Sequence, residues 1–183
     1  MKSLFKTAAS AAIFAMVLLP LVAAEPASPQ SVPAPGKSYQ IRNKEFGQLL
    51  RPENASNADG AAIVLYPAQA WKCMTWRISS AGDSRYCLQN HFTSKTFAAS
   101  PGKAETQAVT QVPWGKDADK RPVWQVSPLK DGTFKIVDVK TGNVLTAQKA
   151  ADGSGATVVL APWKDGDGQK WELREIDPAT LTM

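Results

Sequence analysis

The sequence predicts an all-β domain in which three copies of one β unit share a single core, and three observations lead there. A short apolar run, a proline, an aromatic and a closing tryptophan recur in "AIVLYPAQAWKCMTW" (62–76), "AVTQVPWGKDADKRPVW" (108–124) and "TVVLAPWKDGDGQKW" (157–171). A shift of 95 residues lays the first copy on the third without a gap: Ile41 meets Ile136, Gly47 meets Gly142, Leu50 meets Leu145, Gly60 meets Gly155 and Trp76 meets Trp171. Within each copy the apolar residues alternate or form short β-branched runs, punctuated by Gly, Pro, Asn and Asp, and no window carries a sustained helical stripe.

At the amino terminus, Lys2 and Lys6 precede an apolar stretch from Ala8 to Val22 that ends in small residues before Glu25. This reads as a secretory signal peptide over residues 1–24, too short and too small-ended for a membrane span, so the mature protein is expected to be secreted or periplasmic with no membrane span after processing. Residues 25–37, "EPASPQSVPAPGK", carry four prolines and almost no large apolar side chain. Such a segment buries too little surface to offset the entropy of ordering and is expected to be a disordered tether. Residues 38–176 suffice for one domain and are too few for two, and residues 177–183 form a short tail. Removal of Lys2 and Lys6 takes the formal charge from +5 to +3, and acids and bases are interspersed without a block of like charge, so the basic pI points only weakly to nucleic acid or anionic surfaces and no nucleic-acid partner is expected.

The middle copy fits at about half the spacing: Tyr86 meets Phe134 and Phe97 meets Leu145 at 48, Trp114 meets Trp163 at 49, and Trp124 meets Trp171 at 47. Differences of one or two residues belong in loops. The repeats therefore run over about 38–80, 84–128 and 132–176. The strand-like spacing excludes helical repeats of similar period, and a propeller needs at least four blades. A three-fold β barrel with hairpin caps remains.

Cys73 and Cys87, an even count in a chain expected to be exported, predict a disulfide across the hairpin that follows Trp76. Closing a loop of about 15 residues would contribute about 3 kcal/mol on the chain-entropy model. A metal site is not expected, because His91 is the only histidine and no second cysteine pair exists. His91, in "QNHFTSK", has no nucleophile motif beside it, and phosphate-loop and redox motifs are lacking, so neither catalytic residues nor cofactors are expected. Asp165 and Asp167 beside Gly166 and Gly168 read as a solvated turn rather than a calcium loop. Asn54, Ala55 and Ser56 form a sequon that matters only in a eukaryotic secretory pathway.

The stretches "YQIRNKEFGQLL", "ADGAAIVLYPAQAWKCMTWRI" and "FKIVDVKTGNVLTAQKAADGSGATVVLAPWKDGDGQKWEL" resemble the repeats of ricin-type β-trefoil lectins. The resemblance implies a single β-trefoil whose repeats each close on a Q-x-W signature with a core tryptophan. Only the third repeat keeps it, as Gln169 and Trp171; Met74 and Pro122 replace the glutamine in the others. The family binds sugar with an aspartate after the second-strand leucine, an aromatic platform, and an asparagine and glutamine before the final tryptophan. Carboxylate and amides pair with vicinal hydroxyls while the ring covers the apolar face of the sugar. Here the aspartate position reads Arg51, Ala98 and Thr146, the platform position reads Tyr66, Val112 and Ala161, and the asparagine position reads Cys73 in the first repeat and Gly168 in the third. No repeat keeps the full set.

The candidate ligand-binding residues are therefore those of the aromatic loops: Tyr66, Trp71, Trp114, Trp163, Lys164, Asp165 and Gln169. The alternative for Trp71, Trp114 and Trp163 is that they fold back over the open end of the barrel. The expected partner is a glycan or glycoprotein on a cell surface. The export signal, tether, eroded sugar motifs and tail, with local echoes in "RYCLQN" and "VWQVSP", also resemble the A and C subunits of cytolethal distending toxins, which implies a partner toxin subunit. A trefoil protease inhibitor is the competing reading, with "GKDADKRP" (115–122) as its exposed loop.

Overall fold

The computed structural model describes residues 32–182 apart from Lys103, Asp152 and Ser154. The expected signal peptide and residues 25–31 of the expected tether lie outside the described residues. Twelve strands follow one another: β1 (Ser38–Asn43), β2 (Leu49–Pro52), β3 (Ile63–Tyr66), β4 (Thr75–Ser80), β5 (Arg85–Asn90), β6 (Thr96–Ala99), β7 (Gln107–Val112), β8 (Trp124–Pro128), β9 (Phe134–Asp138), β10 (Val144–Lys149), β11 (Ala156–Ala161) and β12 (Trp171–Glu175). The first and last strand of each repeat build a barrel that closes antiparallel in the order β1, β4, β5, β8, β9, β12 and back to β1. The middle strands form hairpins β2–β3, β6–β7 and β10–β11, which meet through β11 against β3 and β7 and through a bridge from Ala62 to Thr110. This is a β-trefoil, as the repeats predict. Closure leaves the barrel with no free sheet edge.

The core explains the recurrence. Trp76, Trp124 and Trp171 are fully buried with Ile41, Leu50, Phe97, Ile136, Leu145 and Leu160. Trp124 and Trp171 are the first residues of β8 and β12, and Trp76 is the second residue of β4. The Nε1 of Trp76 donates to the Leu50 carbonyl at 3.1 Å and that of Trp171 to the Leu145 carbonyl at 2.9 Å, the same bond 95 residues on. Trp124 departs from this: its buried Nε1 has no partner among the described residues, and Phe97 lies against its ring at 4.8 Å.

A second three-fold feature ties neighbouring repeats together. Asn43, Asn90 and Asp138 end β1, β5 and β9, each two residues past the apolar member of "YQI", "YCL" and "FKI". The Asn43 Oδ1 accepts from the Glu45 and Phe46 amides and the Asn90 Oδ1 from the Phe92 and Thr93 amides, which caps the turn that follows. Their Nδ2 groups reach across the repeat junction, from Asn43 to the Gly168 carbonyl and from Asn90 to the Cys73 carbonyl, both at 2.9 Å. Asp138 caps its turn through Thr141 but has no amide N–H to send across.

One expectation needs correction. Cys73 and Cys87 are free and buried. Cys87 pairs with Ser79, whereas Cys73 lies in the 3-10 turn before β4, two residues short of Thr75. The four residue steps from Thr75 to Ser79 span about 13 Å, beyond the Cα separation of about 7 Å that a disulfide tolerates. Burial pushes both thiols up in pKa. Within residues 32–37, Pro33 is buried, the Ala34 amide donates to the Tyr39 hydroxyl at 2.9 Å, and the Gly36 amide donates to the Ile78 carbonyl at 2.7 Å. The tail is ordered on the first repeat, where Thr182 bridges Trp71 and exchanges backbone bonds with Ala70 and Lys72. Among the described residues no helix is long and apolar enough to cross a membrane.

Candidate functional site

The candidate residues lie in the loop between the cap hairpin and the closing strand of each repeat, apart from Tyr66 at the end of β3, and the three loops have diverged. In the third repeat the loop closes on itself. Gln169 is 4 % exposed; its Oε1 accepts from the Lys164 amide at 2.6 Å, and its Nε2 donates to the Pro162 carbonyl at 2.8 Å and the Thr146 hydroxyl at 3.1 Å. Both Nε2 hydrogens and one Oε1 lone pair are engaged within the protein, so Gln169 braces the loop. Gly168 permits this packing, since a Cβ there would stand 2.6 Å from the Ala147 carbonyl oxygen. The family's asparagine has no room at this position.

The outward side of the same loop is different. Trp163 and Asp165 line a depression of about 370 Å³ with Leu129, Lys130, Asp131 and Lys170, between the β8–β9 turn and the loop. Asp165 adopts a left-handed backbone (φ 58), a conformation costly for a residue with a Cβ, and is held by an ion pair to Lys170 at 3.1 Å. Lys44 bridges Asp131 and Asp167, each at 3.0 Å. The Thr133 hydroxyl and amide and the Lys44 ammonium hold the Asp131 carboxyl far below the usual carboxylate range, while the bonds from Asp131 and Asp167 raise the Lys44 pKa. Lys135 Nζ lies 5.1 Å from the Trp163 ring centroid. The depression thus offers an aromatic face, two carboxylates and two lysines. Asp131 and Lys170 were not predicted; Asp131 lies 32 residues before Trp163, and only β8–β9 pairing brings it there. Lys164 is exposed and outside the depression. Asp165 and Asp167 are engaged by lysines.

In the second repeat a groove of about 700 Å³ opens beside Arg121 and beside Ala98, Val112 and Pro122, the positions where the resemblance places aspartate, platform and glutamine. The location persists and its sugar-binding side chains are gone. The groove runs to Asp138 and Thr141 at the repeat junction where the asparagine tie is missing. Trp114 does not line it: the Arg121 guanidinium covers that ring at 4.4 Å and donates to the Gly115 and Lys116 carbonyls, so both residues brace the loop.

In the first repeat Tyr66 and Trp71 stack with ring centroids 6.1 Å apart and planes at 28°. Tyr66 is 37 % exposed, and beneath it the Arg51 guanidinium lies 3.7 Å from the ring centroid. His91 also has a partner that sequence did not suggest, the Ser38 hydroxyl at 2.7 Å from Nε2. Ser38 is 4 % exposed, which keeps its oxygen from any substrate. Burial, with the Arg77 and Lys72 charges, lowers the His91 pKa.

Known proteins place this geometry. Comparison with curated proteins gives no match. Among solved structures, the designed three-fold symmetric protein ThreeFoil is 27 % identical with a TM-score of 0.68, covering 76 % of this chain and 99 % of that one. A ricin B-like lectin of Macrolepiota procera, solved in complex with lactose, is 18 % identical with a TM-score of 0.65 over 78 % of this chain and 98 % of that one. The cytolethal distending toxin of Actinobacillus actinomycetemcomitans is 16 % identical with a TM-score of 0.61 over 76 % and 91 %. At such identity the last two show likeness of fold alone. The model of the family described as the ricin-type β-trefoil lectin domain matches residues 37–171. Because that match runs from the start of the first repeat to the closing tryptophan of the third, this chain belongs to the ricin-type β-trefoil lectin domain family.

Proposed function

We propose that this protein is a secreted, non-catalytic recognition module that binds a carbohydrate-bearing ligand on a cell surface through the third-repeat depression. The observation that carries this reading is the convergence of Trp163 with Asp131, Asp165 and Lys170 around about 370 Å³. An indole covers the apolar face of a pyranose, and carboxylates and an ammonium pair with its hydroxyls. Membership of a lectin-domain family supports the reading. The test is a glycan array with cell binding, repeated for Trp163→Ala and Asp165→Asn. Binding by wild type and a loss of about tenfold or more in each variant is expected. Binding to neither glycans nor cells, or wild-type binding by Trp163→Ala, sinks the proposal.

A finer form makes the module the host-binding subunit of a multi-component bacterial toxin. Fold likeness to the cytolethal distending toxin and the expected export signal support it, and co-purification of a partner subunit from the producing cell tests it. The protease-inhibitor reading has less support: Ala118–Lys120 form a 3-10 turn and Arg121 pins the loop, whereas a substrate-like segment must be extended. No inhibition of trypsin at a large molar excess is expected.

A further inference from the structure

The charges around the third-repeat depression are not paired as their order in the chain suggests. Lys130 adjoins Asp131 and Lys164 adjoins Asp165, yet the carboxylates pair with Lys44 and Lys170 instead. Asp131, Lys44, Asp167, Lys170 and Asp165 form one alternating chain, with successive links of 3.0, 3.0, 3.7 and 3.1 Å. Within it Asp131 is scaffold: Lys44 and the Thr133 amide and hydroxyl fill three of its roughly four acceptor positions and keep it ionised. Asp165, with a side chain 71 % exposed, keeps acceptor positions beyond its bond to Lys170. Three carboxylates against two ammonium groups leave one negative charge in the chain. Lys130 lines the depression, and the Lys135 ammonium stands 5.1 Å from the Trp163 ring centroid. Neither makes an ion pair among the described residues, so together they turn the balance around the ring positive. The Glu45 carboxylate lies against Gly168 and does not line the depression.

We infer that this depression selects saccharides that carry an acidic group, a carboxylate or a sulfate ester, which pairs with Lys130 while the sugar ring lies against Trp163. The inference rests on the carbohydrate-binding reading and names the ligand class of that same site. A sugar hydroxyl donates to Asp165, and Lys135 adds positive potential at the ring. A hydrogen bond between charged partners is about twice as strong as a neutral one, so an acidic group that meets Lys130 contributes more than a hydroxyl in its place. Lysine offers a compact charge with three rotatable donors, where arginine offers a fixed planar fork. The site therefore reads the charge of the acid and not its shape, and both acid classes are ligands. Because Lys130 is exposed, its contribution is open to screening by salt.

The experiment is calorimetry on the full secreted chain with lactose, sialyllactose, sulfated lactose and inorganic sulfate. The variants are Trp163→Ala, the double variant Lys130→Gln with Lys135→Gln, and a control of equal charge, Lys116→Gln with Lys140→Gln, whose lysines do not line the depression. Both lysine doubles should melt as wild type does, since none of the four lysines makes an ion pair among the described residues. Wild type should bind both acidic sugars about tenfold or more tightly than lactose. The Lys130 and Lys135 double should lose that preference and keep its lactose affinity, the control should keep both, and Trp163→Ala should lose every sugar. Raising the ionic strength from about 0.01 M to about 0.15 M, which shortens the screening length from about 30 Å to about 8 Å, should weaken the acidic sugars and leave lactose unchanged. Equal affinity for lactose and the acidic sugars, with both lost in Trp163→Ala, would overturn the acidic class and leave the carbohydrate reading standing. So would an equal loss of acidic sugars in the control double, which would make the preference one of overall charge. Inorganic sulfate as tight as sulfated lactose would remove the sugar from the recognition. No sugar bound by wild type would overturn the carbohydrate reading and this inference with it.

Discussion

Replacing Asn90 by alanine removes three hydrogen bonds from one side chain that is 1 % exposed. The Phe92 and Thr93 amides lose their acceptor at 3.0 and 3.1 Å, and the Cys73 carbonyl loses its donor at 2.9 Å. The Phe92 amide is part-buried and can turn to water, which leaves two buried polar groups unsatisfied at about 1–3 kcal/mol each. The expected cost of Asn90→Ala is about 3–4 kcal/mol. Asn90→Asp keeps both accepted bonds and loses only the donated one, so about 1–3 kcal/mol is expected, and the variants rank wild type, Asp, Ala in falling stability. Urea unfolding followed by tryptophan fluorescence measures this, with the midpoint moving and the slope unchanged. A loss below about 1 kcal/mol for Asn90→Ala, or an Asp variant weaker than the Ala variant, would refute the claim that this residue ties the first repeat to the second. Asp138→Asn restores a donor at the untied junction and is expected to raise the midpoint.

Three further outcomes are expected. Trp124→Phe should cost about 1 kcal/mol less than Trp171→Phe in chemical denaturation, because Trp124 Nε1 is already unpaired whereas Trp171 Nε1 leaves the Leu145 carbonyl without its donor. Alkylation in denaturant without reductant should label both Cys73 and Cys87 by mass spectrometry, while native protein labels slowly because both thiols are buried and raised in pKa. The His91 pKa is lowered in the folded state, so the unfolded chain takes up its proton first as pH falls through the ordinary value of about 6.5. Stability at this site is full above that pH and declines below it until the folded-state value is reached. His91→Gln should flatten the change in melting temperature between about pH 7 and pH 5 relative to wild type.

The fold was legible because its determinants repeat. Ile41 and Ile136, Leu50 and Leu145, and Trp76 and Trp171 meet in one frame, since the barrel demands an apolar strand and a closing ring three times. Asn43, Asn90 and Asp138 lie at the same offset in each repeat and were open to the same alignment, but a polar residue near a turn reads as solvent-facing until its cross-repeat bond is seen. The disulfide expectation failed for a related reason: an even cysteine count says nothing about strand register, and pairing Cys87 with Ser79 takes it away from Cys73. Gln169 matched a sugar-binding motif and proved to be a loop bracket, because chemistry suited to a hydroxyl ligand is equally suited to the Pro162 carbonyl and Thr146 hydroxyl.

By itself, then, the sequence determined the number of repeats, the tryptophan core and the family resemblance, all of which follow from side-chain periodicity along one strand at a time. Tertiary structure alone decided which polar groups face a ligand. Asp131 reaches Trp163 only through the β8–β9 turn, Trp114 is covered by Arg121, and Arg51 lies under the Tyr66 ring. Each of these outcomes depends on contacts between separate strands and loops, where one hydrogen bond or one ring decides between scaffold and site.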